Sequence, residues 1–263
     1  MNKDEIVRAI RSERRATLAF LGTLEPEQFD TPTALPGWRI REVIAHLITT
    51  DKASVTGANL LTLAGSMERL ERWNDRQVPK WANRPIPDLL IGLDGWGRRL
   101  LRVVRALPSF VYRVRAPSIF GHGPAGLLVW SRVYDEWIHR QDMRRALGLP
   151  DEEVDVASPS EFLLTTITYA VLPALQGKAG AVTVSLEGAP LPEWRYDLAA
   201  RTGAPVEGSS APAAAARITA SAPGFIMAAA GRDSFAQLRE AGSLSDEGDA
   251  ALATEFLAKL RVV

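Results

Sequence analysis

The chain contains no cysteine, although it is 263 residues long. That absence excludes a disulfide framework, a cysteine nucleophile and any metal site built on thiolates. Unbroken apolar runs of about 18 residues are also missing, and the N-terminal segment MNKDEIVRAIRSERR has no apolar core. We therefore expect no transmembrane helix, no secretory signal and a cytoplasmic location.

A surplus of charge is absent too, because 31 basic residues balance 31 acidic ones. A protein that binds nucleic acid usually shows a basic excess, so we expect no nucleic-acid partner, and the lack of an apolar span argues against a membrane partner. One basic stretch comprises Arg98, Arg99, Arg102, Arg105, Arg113 and Arg115. A solvated helix face is its preferred interpretation, and an anion-binding surface is the alternative.

What is present is the composition of an ordinary globular protein, with 46% hydrophobic and 24% charged residues, which argues against disorder. Apolar residues at helical spacing fill the first two-thirds of the chain, and short alternating runs separated by Gly and Pro follow. This order predicts an α+β protein with a helical domain over residues 1–177 and a small α+β domain over residues 178–263.

Hydrophobic spacing and turn residues place the individual elements. We predict helices over 4–24, from Trp38 onward, and over 87–107, 127–148, 160–176, 224–230 and 246–260, with 59–73 as a further helical segment. We predict strands over 181–188, 193–200 and 217–222, and loops over 116–126 and 207–216.

The chain has three histidines, His46, His122 and His139. His46 and His139 lie within amphipathic helices, where a histidine is more often packed than a metal ligand. The surroundings of His139 carry more information, because Asp135 lies four residues before it and Glu136 lies three before it. A carboxylate and an imidazole therefore project from one face of this helix.

Such a pair can hold a divalent cation, and His46 from a facing helix would supply a third ligand. We then expect the ring nitrogens of His46 and His139 to lie within about 5 Å of each other. Neutral imidazole and carboxylate suit zinc, with nickel, cobalt or iron(II) open. Three protein ligands leave coordination positions free, as a catalytic site requires.

Two further residues are candidates beside this group. Asp142 lies three residues after His139 and would accept a hydrogen bond from an imidazole, or else pair with Arg145 at the surface. His122 lies in the segment FGHGPAG, whose glycines allow close approach of a ligand. A surface-loop histidine is the alternative interpretation of His122.

Three segments carry a family resemblance. The segments ALPGWRIREVIAHLITTD and DEWIHRQDMRRALGLP resemble the two helix signatures of the DinB-like, mycothiol-dependent maleylpyruvate isomerase family, and APSIFGHGPAG resembles the loop before the second signature. The later strands, followed by AAAGRDSF and a terminal helix, resemble the small sterol-carrier-like domain that many members carry. The resemblance implies a DinB-like four-helix bundle followed by that small domain.

The resemblance also implies site residues and cofactors. It places a divalent metal, zinc first, on His46, Asp135 and His139. The family's isomerases have Glu where this chain has Asp135, so Glu136 is kept as the alternative carboxylate. Arg232 would match the family's characteristic C-terminal arginine as a catalytic residue, and His122 is the other catalytic candidate.

Mycothiol is the implied cofactor, and because the chain has no cysteine of its own, the thiol must come from outside. A bound dication would hold that thiol as a thiolate, which would add to a small electrophilic, possibly acidic substrate, giving isomerisation or conjugation. Two other functions are open: a metal-activated hydrolase or lyase on the same bundle, and a non-catalytic metal- or ligand-binding module. The two motif histidines argue against the module, and both a monomer and a homodimer are compatible with the sequence.

Overall fold

A computed structural model describes residues 3–57, 67–206 and 213–262. The chain divides into two compact units, the first comprising Met1–Ile119 and Gly123–Asp151 and the second Phe120–His122 and Glu152–Val263. The division at residue 177 stays a prediction; in the structure, residues 152–177 cluster with the second unit.

The first unit is a helical bundle. Its helices are α1 (Lys3–Leu21), α2 (Ile40–Thr56), α3 (Met67–Ala82), α4 (Ile86–Ala106) and α5 (Gly126–Ala146). The helices α1, α2, α4 and α5 pack on one another as a four-helix bundle, and α3 packs against α2. The predicted helical bundle is confirmed.

Local sequence explains where α2 begins and ends. Arg39 caps its first turn together with the Glu42 side chain, which accepts a hydrogen bond from the Arg39 backbone N–H at 2.8 Å. The helix ends at Gly57, whose φ of 76° lies in the left-handed region that glycine adopts without strain. Between these ends, apolar side chains three and four residues apart, such as Val43, Ile44 and Leu47, are fully buried in the core.

Helix α5 differs from the others because nearly its whole circumference is buried. Its buried residues include apolar side chains such as Trp137 and Met143, but also six polar ones, namely Arg132, Glu136, His139, Arg140, Gln141 and Asp142. Buried charged groups are stable only when they are paired or bind a metal. Each of these buried charged side chains on α5 therefore requires a partner or a bound ion.

The second unit combines a sheet with short helices. It contains α6 (Ala157–Ala170), β3 (Ala181–Glu187), β4 (Trp194–Asp197), β5 (Thr202–Pro205), β6 (Ala216–Ser221), α7 (Ala222–Ala229), α8 (Phe235–Glu240), β7 (Leu244–Gly248) and α9 (Ala250–Lys259). The sheet order is β5-β4-β3-β6-β7. The strands β3 and β6 run parallel, and every other neighbouring pair is antiparallel. The predicted α+β class and the predicted pairing of the first two strands of this sheet are confirmed.

Three predicted boundaries were wrong. The predicted loop over 116–126 contains the strands β1 (Arg115–Ser118) and β2 (Gly121–Pro124), which form a two-stranded sheet. The predicted helix over 246–260 begins only at Ala250, because the preceding residues form β7 and pair with β6. The predicted helix over 160–176 ends at Ala170, and the segment that contains Pro173 forms a short 3-10 turn.

Two further predictions fall partly outside the described residues. Residues 59–66 of the predicted helical segment 59–73 and residues 207–212 of the predicted loop 207–216 lie outside the described residues. Among the described residues, no helix is both long enough and apolar enough to cross a membrane.

Candidate metal centre

The bundle brings three predicted ligands together. His46 comes from α2, while Asp135 and His139 come from successive turns of α5. One nitrogen of each imidazole and one oxygen of the carboxylate all lie within 4.8 Å of one another. The four-residue offset on α5 brings Asp135 and His139 together, because such residues stack on one face of a helix.

The geometry suits a divalent metal. Oδ1 of Asp135 lies 3.6 Å from Nε2 of His46 and 3.6 Å from Nε2 of His139. Donors at about 2.0–2.1 Å from a tetrahedral zinc ion are separated from one another by roughly 3.3 Å. Two neutral imidazoles and one carboxylate also form a donor set that zinc and related dications accept. These residues therefore fit the metal that the resemblance implies.

Each imidazole is oriented by a second hydrogen bond. Nδ1 of His139 donates to Oδ2 of the buried Asp142 at 2.9 Å, since a carboxylate can only accept. Nδ1 of His46 lies 3.2 Å from the amide oxygen of Asn74, on α3. With both Nδ1 atoms engaged in this way, both Nε2 atoms keep a lone pair toward Asp135.

Removing the support of His139 should weaken metal binding without removing a ligand. We expect Asp142→Asn to reduce metal affinity by roughly 10- to 100-fold, because the imidazole loses its charged acceptor and part of its basicity. Competition titration with a coloured chelator measures this change. The matched control is Asp151→Asn, because Asp151 pairs with Arg145 at 2.6 Å on a partly exposed surface. Equal affinities for the two variants would show that Asp142 does not support the centre.

The indole ring of Trp38 lies beside the two histidines. The Trp38 ring lies 5.2 Å from the ring of His46 and 6.4 Å from that of His139, measured between centroids. The two histidines are 7% exposed and the Asp135 side chain 29%, so the cluster is mostly buried. Limited access to water strengthens the interaction of the carboxylate with any bound cation.

The electrostatics favour the metal-binding protonation states of His46 and Asp135. Burial lowers the pKa of His46 below its ordinary value, and Asp135 opposes that effect only in part. Burial alone would raise the pKa of Asp135, but the Arg132 guanidinium opposes it, and that pKa lies well below its usual range. A neutral imidazole and an ionised carboxylate are the forms that a metal requires.

The alternative carboxylate, Glu136, is not in this cluster. It is 1% exposed and accepts two hydrogen bonds from Arg14 of α1, at 2.7 and 2.9 Å. Adjacent residues of a helix point about 100° apart, so Asp135 and Glu136 face different neighbours. The structure thus separates the two carboxylates that the sequence left as alternatives.

Sequence reasoning missed the charged residues behind the centre. Arg132 donates to Oδ2 of Asp135 and, through Nε, to Oδ1 of Asp51 at 3.1 Å. Oδ2 of Asp51 accepts from Arg14 at 2.7 Å. The sequence holds a signal for Arg14, which lies four residues after Ile10 and so places a charge on the apolar face of α1.

The remaining predicted residues lie elsewhere in the chain. His122 is exposed on β2 and Arg232 is half-buried after α7, and both belong to the second unit. Nη1 of Arg232 donates to the carbonyl oxygen of Ala230 at 2.9 Å. Their catalytic roles stay predictions.

All six arginines of the basic stretch are exposed, and Arg98 pairs with Asp94 on the same helix, as on a solvated helix face.

Comparison with known proteins gives a family match for this chain. The family model described as the mycothiol maleylpyruvate isomerase N-terminal domain matches residues 10–144. No curated protein sequence matches the chain.

Solved structures give a likeness of fold. The crystal structure of the mycothiol-dependent maleylpyruvate isomerase is 17% identical, with a TM-score of 0.59 over 94% of this chain and 93% of that chain. A mutant of that isomerase gives the same values. A sterol carrier protein 2 like 2 from Aedes aegypti covers 37% of this chain and 93% of its own, at 15% identity and a TM-score of 0.31. That last score is too low to argue from, so the sterol-carrier-like character of the second unit stays a prediction.

Proposed function

This chain belongs to the mycothiol maleylpyruvate isomerase N-terminal domain family, and from that premise we propose that it is a metal- and thiol-dependent isomerase or S-transferase. The proposed cofactors are one divalent metal, zinc first, and mycothiol. The cluster of His46, Asp135 and His139 is the observation that carries the proposal.

The chain's own residues would perform three tasks at this centre. The two imidazoles and Asp135 would bind the metal, Asp142 and Asn74 would orient the imidazoles, and Trp38 would limit the access of water. The metal, when bound, lowers the pKa of a thiol and stabilises its thiolate. Because the chain contains no cysteine, the nucleophile would have to be an external low-molecular-weight thiol.

The substrate class follows from the chemistry of a thiolate. A thiolate adds to an electrophilic carbon, so the substrate would be a small electrophile. The relative's name specifies maleylpyruvate, and an unsaturated acidic compound of that kind is the first one to assay.

The decisive test measures metal and thiol binding together. We expect the purified protein to contain about one metal per chain, and calorimetric titration with mycothiol to give heat only when the metal is present. His46→Ala should lose both metal and thiol binding, because two remaining ligands rarely hold a labile dication tightly. His122→Ala and Arg232→Ala should keep the metal and lose turnover if those residues are catalytic.

Two results would contradict the proposal in different ways. A protein that holds metal but shows no thiol binding would favour a hydrolase or lyase in which a metal-activated water replaces the thiol. A protein without metal, or a His46→Ala variant that retains as much metal as His122→Ala, would remove the metal centre from the proposal.

A further inference from the structure

Asp135 is one end of a network of ion pairs that extends through buried residues to α1. It runs from Asp135 to Arg132, then to Asp51, Arg14 and Glu136. Apart from Asp135, each of these residues is at most 6% exposed. The three carboxylates and two guanidinium groups of this ion-pair network carry one net negative charge. Asp135, at one end of the network, faces the two imidazoles.

Because of Arg132, the two oxygens of the Asp135 carboxylate have different neighbours. Its Nη1 donates to Oδ2, while Oδ1 is the oxygen that lies 3.6 Å from both Nε2 atoms. Arg132 itself is held by Asp51, whose Oδ1 accepts from its Nε at 3.1 Å. Without Asp51, the guanidinium would lose the bond that fixes its rotation, because the fork geometry of arginine orients it only when more than one N–H is engaged.

Asp51 is well placed for this task. It is fully buried on α2, five residues after His46, and Arg14 occupies its other oxygen at 2.7 Å. Asp51 therefore connects the helix that carries one predicted ligand with the helix that carries the other two.

We propose that Asp51 is a positioning residue of the metal centre: through Arg132 it occupies Oδ2 of Asp135, so that this carboxylate offers only Oδ1 to the metal. A carboxylate that binds through one oxygen leaves more coordination positions for external ligands than one that binds through two. This inference rests on the proposed function, since it concerns the same metal, and it adds the reason why the centre stays open.

Cobalt(II) is the probe for a test, because its visible absorption weakens as the coordination number rises from four. We expect Asp51→Asn to bind cobalt about 10- to 100-fold more weakly than the wild type, because Asp135 is no longer held in its binding orientation before the metal arrives. We also expect a weaker visible band, because the freed carboxylate binds through both oxygens. Arg132→Lys should change both readouts in the same direction, because one ammonium cannot replace the fork between Asp51 and Asp135. It also keeps the inference testable if Asp51→Asn does not fold.

The control is a buried ion pair of the same bundle. Arg140 of α5 donates to Glu13 of α1 at 2.8 Å, and both side chains are buried. Glu13→Gln therefore removes a buried charge as Asp51→Asn does, so it should lower thermal stability but leave cobalt affinity and spectrum unchanged.

The possible failures are distinguishable. If Asp51→Asn and Arg132→Lys match Glu13→Gln in cobalt affinity and spectrum, the ion-pair network is only structural. The inference is then overturned, while the proposed function stands. If wild-type protein takes up no cobalt and no zinc, the proposed function fails and the inference fails with it.

Discussion

Asp135→Ala should reduce the metal content of the purified protein to background, whereas Glu136→Ala should retain metal. Asp135 is the carboxylate whose Oδ1 lies beside both imidazoles, and Glu136 is occupied by Arg14 on another side of α5. Loss of a direct ligand should exceed the roughly 10- to 100-fold loss of affinity expected for a supporting residue. Elemental analysis of folded, gel-filtered protein gives the metal-to-protein ratio for each variant.

The control for this comparison must separate metal loss from unfolding. Each variant takes a carboxylate from a buried guanidinium, but Glu136 is 1% exposed and accepts two hydrogen bonds from Arg14, whereas the Asp135 side chain is 29% exposed and accepts one from Arg132. Glu136→Ala should therefore be the less stable of the two although it holds the metal. The two variants should therefore rank in one order by metal content and in the opposite order by thermal stability. Circular dichroism melting curves, recorded together with the metal analysis, measure the thermal stability. More metal in Asp135→Ala than in Glu136→Ala would mean that Glu136 is the true ligand.

Two of the predicted ligands, Asp135 and His139, were recognisable in the sequence because they depend on local spacing. Asp135 and His139 are one helical turn apart, and helical geometry alone places them on one face. That His46 meets them depends on the packing of α2 near α5, which the apolar pattern of each helix favours but does not specify. The family signatures supplied this pairing.

The supporting residues were harder to predict, because their partners are distant in sequence. Arg14 meets Glu136 across 122 positions and Asp51 across 37. A charge at a core-facing position shows that some partner exists, but only the packed structure identifies it. Asn74 lies on α3, just beyond the predicted helical segment 59–73, so its bond to His46 had no basis for prediction.

The errors in the strands have a related cause. The sequences of β1 and β2, RAPS and GHGP, lack the β-branched and aromatic residues that identify strands. The acidic segment of β7, LSDEG, resembles the start of a helix, yet its backbone pairs with β6. Pairing with a neighbouring strand outweighed local preference in β7, as is common at the edge of a sheet.

The buried charges should also dominate the stability of the bundle, and Arg14→Leu should lower the free energy of unfolding by about 3–5 kcal/mol. Arg14 is 6% exposed and pairs with two fully buried carboxylates, those of Asp51 and Glu136. Its removal leaves Glu136 without its guanidinium partner and Asp51 with Arg132 alone. Urea unfolding, monitored by circular dichroism, measures the change.

The neighbouring arginine supplies a matched control. Arg15 lies on the same helix but is exposed, so Arg15→Leu should change the free energy of unfolding by less than about 0.5 kcal/mol. A similar loss for the two variants would show that the Arg14 ion pairs contribute no special stability.

A glycine on α4 tests the same site by a different route. A Cβ at Gly97 would overlap the guanidinium of Arg14, whose Nη1 donates to the carbonyl oxygen of Leu93. Gly97→Ala should therefore destabilise the wild type by about 1–3 kcal/mol, as overpacking does, although alanine favours a helix more than glycine does. In the Arg14→Leu background the overlap with the guanidinium is gone, so a smaller loss is expected there, and equal losses in both backgrounds would show that Gly97 makes no room for Arg14.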